Sequence, residues 1–275
     1  MLYDAEPISS LQNSRVKAAV RLRDRRDRDR DRRFRIEGYR EVLRAVKSGL
    51  PIEELFFCPE MFLGVNEEPL IHRAIEECGA AEVEVTPPVF QKLSYRDRPD
   101  GLLAIAPIPT WDLPSLESRA KFSETPLILV AQAIEKPGNL GTMLRTADAV
   151  GIDCVIVCDR CTDIWNPNVV RASVGTLFTV PVAEGESAEV RAWLRERNIR
   201  LIATTPDAET LHTNADLTTP LALVVGSEQY GLDESWLAEA DQKVQIPMRG
   251  DADSLNAAIS AAVVLFEAIR QRGGV

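Results

Sequence analysis

Three short stretches of this 275-residue chain bring together side chains that can do chemistry. The first, LILVAQAIEKPGNLGTMLRTADAVG, runs from an apolar strand into Pro137-Gly138-Asn139-Leu140-Gly141 and then a helix carrying Arg145 and Thr146. Glycines in such a turn let backbone amides approach an anion at the helix N-terminus, and Arg145 can project toward the same charge. An ordinary turn with a surface arginine reads equally well. GNLG is neither a Walker A loop nor a GxGxxG fingerprint, which weakens a nucleotide-phosphate site. The second stretch, LALVVGSEQYGL, leaves a buried strand at Gly226-Ser227-Glu228. A carboxylate there can accept from a hydroxyl or hold an arginine in place. In the third, IPMRGDADSLNAAISAAVVLFEAI, Ser254 is the expected helix N-cap and Asn256 falls in the first turn; Ser254 could also be a cap and nothing more.

These residues need a scaffold that gathers strand ends, because open α/β sheets bind ligands beyond the carboxyl ends of their strands. Strands are expected at 127–134, 153–159, 178–183, 200–206, 221–228 and 242–248, with helices between them and a long Ala-rich helix from Ser254 to Arg272. Upstream, a polar helix is expected over Ser10–Arg33, followed by alternating short strands and helices to Ala106. That alternation implies a mostly parallel, three-layer α/β domain. PIPTWDLPSLESRAKFSETP, with four prolines, breaks the periodicity and reads as a linker. The expected organisation is an N-terminal α/β domain over 1–107, a linker over 108–124 and a second α/β domain over 125–275.

Composition removes several classes. Hydrophobic residues make up 45 % and charged residues 27 %, the balance of a soluble globular protein. No apolar run approaches the roughly 18–20 residues of a membrane span, and MLYDAEPISSLQNSR lacks the apolar core of a secretory signal, so a cytoplasmic protein is expected. Five cysteines, an odd set, fit a reducing compartment. Cys154, Cys158 and Cys161 match a cluster-like C-x3-C-x2-C spacing, but DCVIVCD reads as a buried strand. An extended Cys154–Cys158 span of about 13 Å is too long for ligands of one small cluster. His72 and His212 lack partners at metal or triad spacing, so no metal is expected.

The net charge of −10 hides an asymmetry. Residues 15–44 hold thirteen Lys+Arg against six Asp+Glu, a local +7 that leaves −17 for the rest. Local basic patches decide phosphate contact. The run RLRDRRDRDRDRR could instead be a solvated helix laced with Arg–Asp pairs.

Taken together, the three stretches resemble the sequence motifs of the SpoU (TrmH-type) branch of the SPOUT RNA methyltransferases. The match is N-x-G-x-x-x-R-T-A at 139–147, G-S-E-x-x-G-L at 226–232 and I-P-M-x-G-x-x-x-S-L-N at 246–256, over about residues 125–272. FRIEGYREVLRAVKSG and SYRDRPDGLLAIAP are similar to the opening and closing segments of that family's ribosomal-protein-like substrate-binding domain. Ala257-Ala258-Ile259 stands where Val-Ser-Val is frequent, a change of packing more than of chemistry.

The resemblance implies a C-terminal domain with a deep trefoil knot and a mostly parallel sheet, beside a smaller N-terminal three-layer α/β domain. It implies a homodimer with a shared active site, S-adenosylmethionine as cofactor and S-adenosylhomocysteine as product. Arg145 becomes the catalytic residue, with Asn139, Glu228, Ser254 and Asn256 completing the polar site. Thr204, Thr205, Gly226, Ile246, Met248 and Leu255 would bound the cofactor. The implied reaction is methylation of a ribose 2′-hydroxyl, which excludes DNA as substrate. Arg15, Lys17 and Arg21 are the candidate RNA contacts. Large-subunit (23S) ribosomal RNA is the expected substrate. Transfer RNA, a non-catalytic assembly factor of the same fold and a Rossmann-type nucleotide enzyme are the alternatives.

Overall fold

The computed structural model describes residues 6–159 and 162–273. Cys161 and the first five residues of the leader reading lie outside them. Two compact units divide the chain: residues 1–109 with 164–179, and residues 110–163 with 180–275. Among the described residues no helix is long and apolar enough to cross a membrane.

The first unit begins with α1 (Ser14–Arg21) and α2 (Arg25–Asp31), two helices where one was expected. Asp24 takes an extended conformation and breaks the run. The buried Arg28 guanidinium donates to the carbonyls of Leu22 (2.9 Å) and Arg23 (2.7 Å), which the break would otherwise leave unpaired. Next come β1 (Arg33–Glu37), α3 (Tyr39–Lys47), β2 (Glu54–Phe57), α4 (Glu67–Cys78), β3 (Ala81–Glu84), α5 (Pro87–Leu93) and β4 (Leu102–Pro107). The sheet order is β1-β4-β2-β3. Only β2 and β3 are parallel; β4 runs antiparallel to both β1 and β2. The expected mostly parallel sheet is thus a mixed one, because the chain turns back through residues 94–101 after the short α5.

The second unit starts inside the supposed linker. There α6 (Leu113–Arg119) forms on a capping box between Asp112 and Ser115 and buries Leu113 and Leu116. Then follow β5 (Leu127–Gln132), α7 (Pro137–Val150) and β6 (Cys154–Cys158). The next segment, with α8 (Pro167–Ala172), belongs to the first unit, where Trp165 packs on Phe34 with ring centroids 4.6 Å apart. Arg44 also donates to the Val174 carbonyl there, at 2.5 Å. The strand expected at 178–183 is instead a 3-10 turn over Thr176–Phe178 and then β7 (Val182–Gly185). The chain continues with α9 (Ser187–Glu196), β8 (Arg200–Thr204), β9 (Thr210–Leu211), β10 (Leu221–Val225), α10 (Glu234–Glu239), β11 (Gln242–Gln245) and α11 (Ala257–Gln271).

These seven strands form one parallel sheet in the order β7-β6-β5-β10-β8-β11-β9. Every residue of β5, β6 and β10 is buried, as a parallel sheet covered on both faces requires. The order places β10 between β5 and β8, so the ends of these central strands lie side by side.

Candidate active site

At the exit of β10, Gly226 is buried against the returning loop. A Cβ there would lie 2.2 Å from the Gly231 carbonyl carbon and 2.4 Å from the Leu232 nitrogen. Ser227 and Gly231 exchange backbone hydrogen bonds of 3.0 and 3.1 Å, and the Ser227 hydroxyl accepts from the Tyr230 N–H at 3.1 Å. The turn therefore has one geometry, and it aims Glu228 at the neighbouring strand's exit.

Glu228 accepts from the Asn139 side chain and, at 3.2 Å, from the Glu135 backbone N–H. Asn139 stands in the first turn of α7, which Pro137 starts without loss because a first-turn N–H has no helical partner anyway. The Asn139 carbonyl oxygen in turn accepts from the Asn256 amide at 3.0 Å. Asn256 is the N-cap of α11; its side-chain oxygen accepts from Ala258 (2.9 Å) and Ile259 (3.4 Å). One residue from each of the three motif stretches thus forms a continuous chain of hydrogen bonds.

Burial pushes the Glu228 carboxyl up, but the backbone N–H groups of Glu228, Glu135 and Lys136 and the Asn139 amide outweigh it. They hold the group below its ordinary value, so it is an anion at neutral pH.

Ser254 departs from expectation. It is exposed, and Asn256 caps the helix instead. Both types cap well, and the chain through 246–256 stays irregular until Asn256 meets Asn139. Arg145 is also apart from the network. Six residues beyond Asn139, it lies about 9 Å further along α7 and about 120° around it. It is exposed, and its side chain makes no hydrogen bond or ion pair to another described residue. Gly138 is not sterically required, because a Cβ there meets nothing within 4 Å.

The residues expected around a cofactor converge at three adjacent strand ends. Thr204 closes β8 and donates its hydroxyl to the Val224 carbonyl at 3.0 Å, while the Thr205 N–H donates to Val244 of β11 at 3.0 Å. Gly226 follows β10, and Ile246 follows β11, which ends three residues before the expected Met248. Ile246 and Leu255 are half-buried and Met248 is 37 % exposed. Uncovered apolar side chains beside strand-end backbone suit a ligand with an aromatic base and a thioether-like arm. The residues present fit S-adenosylmethionine.

A second polar cluster escaped the sequence reading. Gln132, the last residue of β5, donates to Asp159 (2.9 Å) and Asp233 (2.8 Å). Ser187 donates to Asp159 and accepts from the Trp236 indole at 2.7 Å. This cluster anchors the loop that carries Glu228. A buried Gln at a strand's carboxyl end was the one available signal.

Of the expected RNA contacts, Lys17 and Arg21 are exposed on α1, whereas Arg15 is ion-paired with Glu54 at 2.6 Å. The Arg/Asp run is partly self-neutralised through Arg25–Asp29, Arg30–Asp27 and Arg30–Asp31.

Comparison with known proteins fits this geometry. Residues 126–266 match the SpoU rRNA Methylase family, and residues 13–104 match the MRM3-like substrate binding domain. A 23S rRNA (uridine(2479)-2'-O)-methyltransferase of Streptomyces viridochromogenes is 31 % identical over 91 % of this chain and 87 % of its own. The crystal structure of an RNA 2'-O ribose methyltransferase is 41 % identical, with a TM-score of 0.83 over 97 % of this chain and 99 % of that one. An AdoMet-bound rRNA methyltransferase from Sinorhizobium meliloti is 30 % identical, with a TM-score of 0.86 over 96 % and 97 %.

Proposed function

Because the chain belongs to the SpoU rRNA methylase family, we propose that it transfers the methyl group of S-adenosylmethionine to a ribose 2′-hydroxyl of large-subunit ribosomal RNA. The observation that carries this is the Glu228–Asn139–Asn256 chain of hydrogen bonds beside the cradle of β8, β10 and β11 ends. When bound, S-adenosylmethionine supplies an electrophilic methyl group. The protein must align the hydroxyl with it and stabilise the charge that develops on the oxygen. Arg145 serves that purpose as a cation. Its planar guanidinium offers five N–H donors and no acceptor, so it holds an RNA phosphate and stabilises the incipient alkoxide instead of acting as a base. Glu228 fixes the start of α7 and thereby the helix that carries Arg145.

The working unit is a homodimer. Supporting this, α11 leaves Ile259 (49 %) and Phe266 (52 %) exposed on one stripe, and α11 packs against α7. Arg145 stands apart from the Asn139–Glu228 network of its own chain, as a site completed across two subunits requires. The trefoil knot belongs to the same reading. The chain leaves the sheet interior at β10, passes to β11 beyond β8 and returns as α11 against β10 and α7. Functionally, residues 1–107 bind RNA and residues 125–275 carry catalysis, with 164–179 lent to the former. The free thiols of Cys58, Cys78, Cys154 and Cys158 support a reducing, cytoplasmic setting.

The test is transfer of labelled methyl from S-adenosylmethionine to total RNA and to ribosomal particles, followed by digestion to nucleosides. We expect label in a 2′-O-methylated nucleoside of the large ribosomal RNA; label confined to transfer RNA would move the substrate. Absence of label everywhere, from protein that binds S-adenosylhomocysteine, overturns the reading.

A further inference from the structure

The first unit contains an open groove of about 780 Å³, within the range of about 300–1,000 Å³ typical of ligand clefts. It is framed by the start of α3, the loop before α4, the 96–100 loop and α8. Arg40, Arg98 and Arg171 line it from three separate segments. All three are exposed, and none of their side chains makes an ion pair or hydrogen bond to another described residue. Arg171 is contributed by the 164–179 segment, which lies within the methylase match in sequence and within the first unit in space.

The groove also contains four carboxylates and a fourth arginine, so its formal charge is balanced. Their placement is not balanced. Arg96 donates to Glu41 at 2.6 Å and lies 3.6 Å from Asp100, so this fourth arginine is committed to carboxylates of the floor. Glu67 is buried, accepting from the N–H groups of Leu63 (3.2 Å) and Gly64 (3.0 Å). Asp100 is buried and accepts from the Tyr39 N–H at 2.8 Å. What faces solvent is three arginines against Asp97 alone. Beside them stand Tyr39 and the 81 % exposed Leu63, apolar faces of the kind unstacked bases cover.

We infer that this groove binds an unpaired segment of the RNA substrate, with Arg40, Arg98 and Arg171 on its phosphates. The inference rests on the RNA methyltransferase reading and adds a surface distinct from α1. Arginine suits it, because its planar fork pairs with phosphate bidentately. An exposed, unpaired arginine is also available without breaking any internal bond. The occupant is a single strand, because its unstacked bases can cover the apolar faces of Tyr39 and Leu63 while its phosphates meet the arginines, which a duplex with stacked bases cannot do.

The experiment uses the full chain and a mixed-sequence 12-nucleotide RNA, single-stranded or as a duplex, with anisotropy read at several salt concentrations. The variant Arg40→Ala/Arg98→Ala/Arg171→Ala should bind the single strand at least tenfold more weakly. Its slope of log K against log salt should shrink by about 2, for three phosphates at about 0.7 each. In methyl transfer KM for RNA should rise while kcat at saturating RNA and S-adenosylhomocysteine affinity stay unchanged. Arg15→Ala/Lys17→Ala/Arg21→Ala serves as the comparison, and its loss should add to the groove's. An unchanged slope in the groove variant, with wild type binding normally, overturns the inference and leaves the methyltransferase reading standing. Equal affinity for the duplex overturns the unpaired-strand part. A wild type that binds RNA but methylates none counts against the enzymatic reading alone.

Discussion

Replacing Gly226 with alanine adds one methyl group at the most crowded point of the candidate site. The new Cβ would lie 2.2, 2.3 and 2.4 Å from the Gly231 carbon, the Gly231 oxygen and the Leu232 nitrogen, all backbone atoms. Ordinary contact begins near 3.4 Å, so the returning strand of the turn must move by about 1 Å. That movement breaks the paired Ser227–Gly231 backbone bonds. At about 1 kcal/mol each, their loss costs about 2 kcal/mol of stability. Glu228 is two residues away and moves with the turn, loosening its hold on Asn139 and the start of α7. Displacing a positioning group by about 1 Å costs about 100-fold in rate. The expected result is a folded protein whose unfolding midpoint drops by several degrees, about 2–4 °C per kcal/mol. Its methyl transfer should fall about 100-fold and its S-adenosylhomocysteine affinity should weaken in calorimetry. Gly250→Ala is the control, since a Cβ there meets nothing within 4 Å. If Gly226→Ala retains wild-type rate and midpoint, the turn is not closed as described and the positioning argument built on it fails.

Glu228→Gln replaces an acceptor of several N–H donors with a half-donor. Losing a charge-assisted hydrogen bond of about 1.5–3 kcal/mol should lower kcat about 10- to 100-fold. Because the folded Glu228 is held below its ordinary value, its stabilising contribution is present above the unfolded carboxyl's titration range and disappears as pH falls through the lower folded value. An acid-unfolding midpoint that Glu228→Gln leaves unmoved would contradict that sign. If the proposed homodimer forms through the exposed stripe of α11, Phe266→Glu should yield a monomer in sedimentation and abolish methyl transfer while circular dichroism stays native; a wild type that sediments as a monomer, or a fully active monomeric variant, rules out the shared site. Burial and the Glu60 carboxylate push the Cys58 thiol up to about 12. Iodoacetamide at pH 8 should therefore leave Cys58 unmodified in the native protein and label it on unfolding, as peptide mass spectrometry can read; rapid native labelling would refute its burial.

What the sequence disclosed, and what it withheld, follows from the range of the forces involved. β5, β6 and β10 were readable because their residues are apolar without alternation, the mark of strands covered on both faces. Asn139, Glu228 and Asn256 were readable because each stands beside a helix start or strand exit, where local rules apply. Which of Ser254 and Asn256 would cap α11 was not, since both are good caps and the choice fell to Asn139, 117 residues away. The helix over Ser10–Arg33 was misread for a related reason. Arg28 looked like a solvent residue in a charged run, yet its guanidinium is buried on the carbonyls of a helix break. Four prolines made 107–126 look like a linker, although Asp112 and Ser115 there form a capping box and two leucines reach the second unit's core. The placement of 164–179 had no local signal at all. It depends on Trp165 finding Phe34 and on Arg44 finding the Val174 carbonyl. The same tertiary choice sets Arg171 beside Arg40 and Arg98, residues 58 positions apart in the chain. A substrate surface assembled from single arginines on separate segments has no sequence spacing by which to be recognised. It becomes visible only when burial distinguishes the arginines that hold the fold, Arg28, Arg35 and Arg96, from those left facing solvent.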